Sequence, residues 1–165
     1  MKSIWIICID DEPDVLRAVE RELGEIENTF PIETAESAAE AVEIRDRLLD
    51  AGDLIGLVLC DHIMPDRNGV DLLIEMHGDP RTRLTRKVLV TGQAGLDATI
   101  QAVNESRLDH FLAKPWETGA IRAVARAELT KFIVHSGIDP MPYMGELDPM
   151  EISRSIHGQG LISDE

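Results

Sequence analysis

The sequence predicts an α/β fold: a doubly wound, five-stranded parallel sheet flanked by five helices. Three observations predict it. Short β-branched apolar runs alternate with longer segments of helical periodicity, strand then helix, five times over, an order that implies right-handed crossovers and a sheet covered on both faces. The runs at residues 3–9 and 54–60 are apolar without alternation, as strands buried on both faces are. Several runs end abruptly on a polar residue next to Pro or Gly.

Residues 3–9 form the first strand, ended by Asp10-Asp11-Glu12-Pro13. Pro13 suits a first helical turn, and Val15, Leu16, Val19 and Leu23 carry the helical spacing to Gly24. Residues 30–34 are a shorter second strand. Ser37 caps a second helix over 38–49, whose apolar stripe is Ala41, Val42, Ile44, Leu48 and Leu49. Residues 54–60 are the third strand, delivering Asp61. Pro65 and Gly69 then shape a loop into a third helix from Val70 to Met76. Residues 87–90 make the fourth strand, ending in Thr91-Gly92, and 96–103 a fourth helix. Residues 110–113 make the fifth strand, ending in Lys114-Pro115. A long fifth helix covers 117–134, with Ile121, Val124, Ala125, Leu129, Phe132 and Ile133 on its apolar side.

At 165 residues the chain holds one ordinary domain with a short remainder. The reading places that domain at 1–135 and an acidic C-terminal tail or linker at 136–165. Gly137, Pro140, Pro142, Gly145 and Pro149 punctuate the tail, and its acids outnumber its single arginine, Arg154. Its apolar residues, among them Tyr143, Leu147 and Ile152, would dock on the domain or a partner, or begin an output domain. No apolar run is long enough to span a bilayer, and the N-terminus lacks the features of a signal peptide. A cytoplasmic location is expected, with Cys8 and Cys60 as buried free thiols. The net charge of −15 argues against direct nucleic-acid binding, because such a surface repels phosphates.

Ligands of open parallel sheets collect at the C-terminal ends of strands. Here those ends carry Asp10 and Asp11, Asp61, Thr91, and Lys114. Carboxylates this close repel each other, and a hard divalent cation such as Mg²⁺, which takes carboxylate and carbonyl oxygens, removes the conflict. The set then reads as a site for a phosphoryl group. Asp61 is the nucleophile that forms an acyl phosphate. The cation and Lys114 neutralise the phosphoryl oxygens, and Thr91 donates a hydrogen bond to one of them.

Four motifs stand in fixed order: Asp10-Asp11-Glu12-Pro13, Asp61-His62-Ile63-Met64-Pro65 with Gly69, Val90-Thr91-Gly92, and Phe111-Leu112-Ala113-Lys114-Pro115. Together they resemble the receiver domain of two-component response regulators over roughly residues 3–134. The resemblance implies a flavodoxin-like sheet of order 2-1-3-4-5. It implies that Asp61 accepts a phosphoryl group from a histidine kinase or phosphotransfer protein. Mg²⁺ would be held by Asp11, Asp61 and the backbone carbonyl of Ile63, with Asp10 helping through water. Thr91 and Lys114 would contact the phosphoryl oxygens, and the Lys114–Pro115 bond would be cis. Phe111 matches the aromatic that switches, and helix 96–103, strand 110–113 and helix 117–134 match the reporting surface. Ile63 and Gln93 match positions that tune water access. The implied partners are a downstream protein or fused output domain, and a second copy in a homodimer. The role is regulatory rather than enzymatic, limited to self-catalysed phosphorylation and dephosphorylation.

Two other classes fit less well. A haloacid-dehalogenase-type phosphatase wants an acid two residues after its nucleophile, where this chain has Ile63. A nucleotide- or flavin-binding module wants a glycine-rich first turn, where this chain has Asp10-Asp11-Glu12-Pro13. His62, beside the nucleophile, has no assigned role, since a carboxylate needs no base. Trp116 is expected half-exposed, as packing or as an anchor on the switching face.

Overall fold

The computed structural model describes residues 2–92 and 108–158. In chain order the elements are β1 (Ile4–Ile9), α1 (Pro13–Leu23), β2 (Ile32–Ala35), α2 (Ala38–Asp50), β3 (Leu54–Cys60), α3 (Gly69–Gly78), β4 (Arg86–Thr91), β5 (His110–Ala113), α4 (Ala120–His135) and α5 (Pro149–Gly158). Short 3-10 turns occupy Gly24–Asn28 and Met141–Tyr143. The expected helix at 96–103 lies outside the described residues, as does Gln93.

The strands form one parallel sheet in the order β2-β1-β3-β4-β5. That is the order the resemblance implied. Alternate residues of the central strands feed two cores. On one face Ile4, Ile6, Cys8, Leu57, Leu59, Val88 and Val90 meet α1 and α4 through Leu16, Val19, Ile121, Leu129 and Ile133. On the other, Ile7, Ile9, Val58, Cys60 and Leu89 meet α2 and α3 through Ala41, Ile44, Leu72 and Met76. This double burial is why the strands lack polar alternation. The β1–β3 register slips between Trp5 and Ile6, beside Gly56. A Cβ there would stand 2.7 Å from Ile4 Cγ2 and 3.0 Å from Leu129 Cδ2, so a larger residue would have to push those side chains aside for α4 to seat on the bulged strand.

Element ends differ from the sequence reading where backbone geometry intervenes. The last long helix starts at Ala120, not 117, because Gly119 stands at φ 87° in the left-handed region and breaks the entry. The second strand begins after Pro31, while Phe30 goes fully into the core.

The described part of the C-terminal segment packs on the first core. Tyr143 stacks on Phe30 with ring centroids 5.4 Å apart, and Leu147 is buried. The Asp148 N–H donates to Thr130 Oγ1 at 3.0 Å, and Arg126 pairs with Glu146 at 3.2 Å. The Pro and Gly residues of this stretch make turns that bring α5 against α4. Among the described residues no helix is long and apolar enough to cross a membrane.

Candidate functional site

The site forms where β1, β3, β4 and β5 end together. The Asp61 N–H donates to the Ile9 carbonyl at 2.9 Å, carrying the β1–β3 ladder one residue past the strand. The backbone turns sharply after it. The Gly69 N–H donates to the His62 carbonyl at 2.7 Å, and a Cβ on Gly69 would lie 2.0 Å from the Asp61 carbonyl oxygen. No larger residue could follow the chain back so closely. The Cys60 thiol sits 3.2 Å from that same oxygen. Met64 drops into the second core, while the Ile63 side chain is exposed.

Asp10 closes the other wall. Its Oδ1 accepts the Glu12 N–H at 2.9 Å, where α1 begins, and its Oδ2 accepts from Lys114 Nζ at 2.7 Å. The same ammonium stands 3.3 Å from Asp61 Oδ1. Lys114 is aimed from the end of β5, where its N–H donates to the Thr91 carbonyl at 2.9 Å and its bond to Pro115 is cis. Thr91 is buried at the end of β4.

The electrostatics follow from crowding. Burial pushes the Asp61 carboxyl above the usual carboxylate range; Lys114 opposes that and Asp10 adds to it. Burial also works against the Lys114 charge, but Asp10 and Asp61 outweigh it and hold the ammonium above the ordinary lysine value. One oxygen each from Asp10, Asp11 and Asp61 lies within 4.8 Å of the others. A compact set of hard oxygen donors suits Mg²⁺.

The structure therefore brings Asp10, Asp11, Asp61 and Lys114 together, with Thr91 on the adjoining strand end. Ile63 lies two residues along the Asp61 loop. Phe111 points out of β5 with 39% of its surface exposed. Trp116 is half-buried against the first core. The His62 Nδ1 is buried without a hydrogen-bond partner, and its backbone carbonyl closes the Gly69 turn. Sequence reasoning missed Asp66 and Arg67 in the same loop. Asp66 accepts from the N–H groups of Ala38 and Ala39 on α2, and Arg67 pairs with Glu75 on α3. Their partners are set by tertiary proximity, and no sequence spacing reports them.

The family model for the response regulator receiver domain matches residues 6–126. The hydrogenase transcriptional regulatory protein HoxA of Cupriavidus necator is 30% identical over 115 residues, covering 70% of this chain and 22% of that protein. The response regulator PleD of Caulobacter vibrioides is 30% identical over 130 residues, covering 79% of this chain and 27% of that protein. The chain thus spans about a quarter of the length of the curated relatives it matches. Among solved structures, a response regulator receiver domain protein from Clostridium thermocellum aligns with a TM-score of 0.64 at 27% identity, covering 81% of this chain and 97% of that one. A CheY-like receiver domain protein from Methanospirillum hungatei aligns with a TM-score of 0.67 at 23% identity, covering 81% and 99%.

Proposed function

The chain belongs to the response regulator receiver domain family, and from that premise we propose that it is a phosphorylation switch whose acceptor is Asp61. The observation that carries the reading is the placement of Lys114 Nζ between Asp10 and Asp61, 2.7 and 3.3 Å away, beside Asp11. Charge that a transferring phosphoryl group brings in would meet an ammonium already in place.

The acceptor chemistry follows from the site. A carboxylate oxygen of Asp61 attacks phosphorus, the bond from phosphorus to the donor imidazole nitrogen breaks, and the imidazole takes up a proton as it leaves. Asp11, Asp61 and the Ile63 carbonyl would hold Mg²⁺, with Asp10 beside them. The ion supplies charge neutralisation of the phosphoryl oxygens. Lys114 leaves part of its bond to Asp10 to meet one oxygen, and the Thr91 hydroxyl donates to another. Ile63, two residues past Asp61, leaves no acid there to work as a phosphatase's second carboxylate. Turnover is confined to loading and loss of the phosphoryl group, and the role is regulatory.

The donor is a histidine kinase or phosphotransfer protein. The response is read at β5, α4 and the preceding segment by a downstream protein, a fused output domain or a second copy of the chain. Phe111, exposed on β5, is the switching aromatic: an acyl phosphate that draws Thr91 inward would let it turn in, biasing an existing two-state equilibrium. Residues 1–135 carry this switch, and the cytoplasm, where histidine kinases present their phosphoryl groups, is its place.

The test is incubation with acetyl phosphate and Mg²⁺, followed by intact mass and Trp116 fluorescence. The expected outcome is a gain of one phosphoryl group that needs Mg²⁺ and disappears in Asp61→Asn. Phosphate retained in Asp61→Asn, or no Mg²⁺-dependent change in the wild type, would sink the assignment.

A further inference from the structure

The loop from Asp61 to Asn68 is held in two halves. Its first half is anchored by the β-ladder bond of Asp61, by the His62–Gly69 turn and by the buried Met64. Its second half, residues 65–68, is mostly exposed and depends on side-chain bonds. Arg67 Nη1 lies 2.6 Å from Glu75 Oε1, and Nη2 donates to the Asp71 carbonyl at 3.2 Å, so Arg67 ties the loop to the helix that directly follows it. Asp66 reaches further. Its two carboxylate oxygens accept from the N–H groups of Ala38 at 3.2 Å and Ala39 at 2.9 Å, in the first turn of α2.

That turn of α2 already has a cap of its own. Ser37 Oγ accepts the Glu40 N–H at 3.1 Å, and the Glu40 carboxylate accepts the Glu36 N–H at 2.7 Å. Asp66 takes two of the N–H groups this local cap leaves over, those of Ala38 and Ala39. The Ala39 and Ala38 N–H groups hold the Asp66 carboxyl below its usual range, so it stays ionised in neutral solution. A second link runs in parallel: Glu75, the partner of Arg67, also accepts from the buried Arg45 of α2 at 2.8 Å. The loop that carries the acceptor is thereby bolted to α2 on both sides of α3's N-terminus.

We infer that Asp66 is a positioning residue for the Asp61 site, fixing the 61–68 loop against α2 so that the Asp61 carboxylate and the Ile63 carbonyl stand ready for the metal and the phosphoryl group. This rests on the function proposed above. Residues that orient ligand-bearing groups from outside the coordination sphere affect metal affinity as well as stability. Because coupling is reciprocal, Mg²⁺ binding in turn steadies the first turn of α2.

The test uses the full chain with Mg²⁺ alone, then with acetyl phosphate. Asp66→Ala and Asp66→Asn are compared with Ser37→Ala, which removes a cap from the same helix turn and leaves the loop bonds intact. Asp66→Ala is expected to raise the Mg²⁺ concentration for half-saturation of the Trp116 signal by about tenfold and to slow phosphorylation. Asp66→Asn, which keeps one acceptor oxygen, is expected to fall between. Ser37→Ala should lower the melting temperature and leave Mg²⁺ half-saturation where it was. In the wild type, Mg²⁺ should slow amide exchange at Ala38 and Ala39, and in Asp66→Ala it should not. If the Asp66 variants bind Mg²⁺ and load phosphate like the wild type, with only a melting-temperature loss matching Ser37→Ala, Asp66 is merely structural and the inference is overturned. A wild type that ignores Mg²⁺ and acetyl phosphate overturns the function itself, a result distinct from an active wild type with unaffected variants.

Discussion

Lys114 spans the site to reach Asp10, 104 positions earlier in the chain, and closes on its Oδ2 at 2.7 Å. This bond compensates a buried carboxylate whose other oxygen is held by one backbone N–H. Lys114→Met should therefore cost the metal-free protein about 3 kcal/mol, the low end of the scale for stranding a buried charge, because Asp10 keeps one hydrogen bond. Mg²⁺ should restore more stability to this variant than to the wild type, because a cation then replaces the lost ammonium. Urea unfolding with and without Mg²⁺ checks both statements.

Asp61 carries a stability cost with a definite sign. Its folded carboxyl titrates above its unfolded value, chiefly through burial. The cost is fully present above the folded pKa, and it is relieved as pH falls and the native chain takes up the proton first. Metal-free Asp61→Asn should thus melt a few degrees above the wild type near pH ~7.5. That advantage should shrink on acidification and vanish below about pH 4, where both states of the wild type are protonated. Thermal melts across that range decide it, and an advantage that grew toward acid would contradict the burial argument.

Gly69 should tolerate no side chain. A Cβ at 2.0 Å from the Asp61 carbonyl oxygen meets backbone, which cannot swing aside as a flexible side chain would. Gly69→Ala is expected to lose about 3 kcal/mol and, by moving Asp61, to load phosphate from acetyl phosphate more slowly. Denaturant midpoints and loading rates are the two measurements.

The C-terminal segment should contribute directly to the stability of the sheet domain. Tyr143 is buried and stacked on Phe30, so Tyr143→Ala should cost about 3 kcal/mol, and Tyr143→Phe much less. Unfolding curves of the two variants compare the ring with its hydroxyl. Equal curves for Tyr143→Ala and wild type would mean the segment is not docked in solution.

The strand order and the cluster of Asp10, Asp11, Asp61 and Lys114 were legible because each residue ends a strand, and strand ends of a parallel sheet converge. That convergence needs only local pattern and one topological rule. Lys87 shows what local pattern misses. It follows Arg86 at the start of the fourth strand, and nothing in that local pattern marks it for burial. In the structure it is 1% exposed, and its ammonium donates to the carbonyls of Thr82, Arg83 and Thr85 at 3.0, 3.2 and 2.5 Å. The loop before β4 is thus fastened by a charge, a role set by where that loop folds back. Asp66 and the Arg45–Glu75 pair were hidden for the same reason, and so was the seat of Tyr143, which needs Phe30 from the far end of the chain.

The closure between Lys114 and Asp10 also orders events during synthesis. A chain emerging from the ribosome exposes Asp10, Asp11 and Asp61 well before Lys114 follows, and parallel pairing is slow because its loops are long. Until β5 docks, the acidic mouth lacks its own counter-charge. Synthesis of the last strand is thus also the step that neutralises the carboxylates gathered at the mouth.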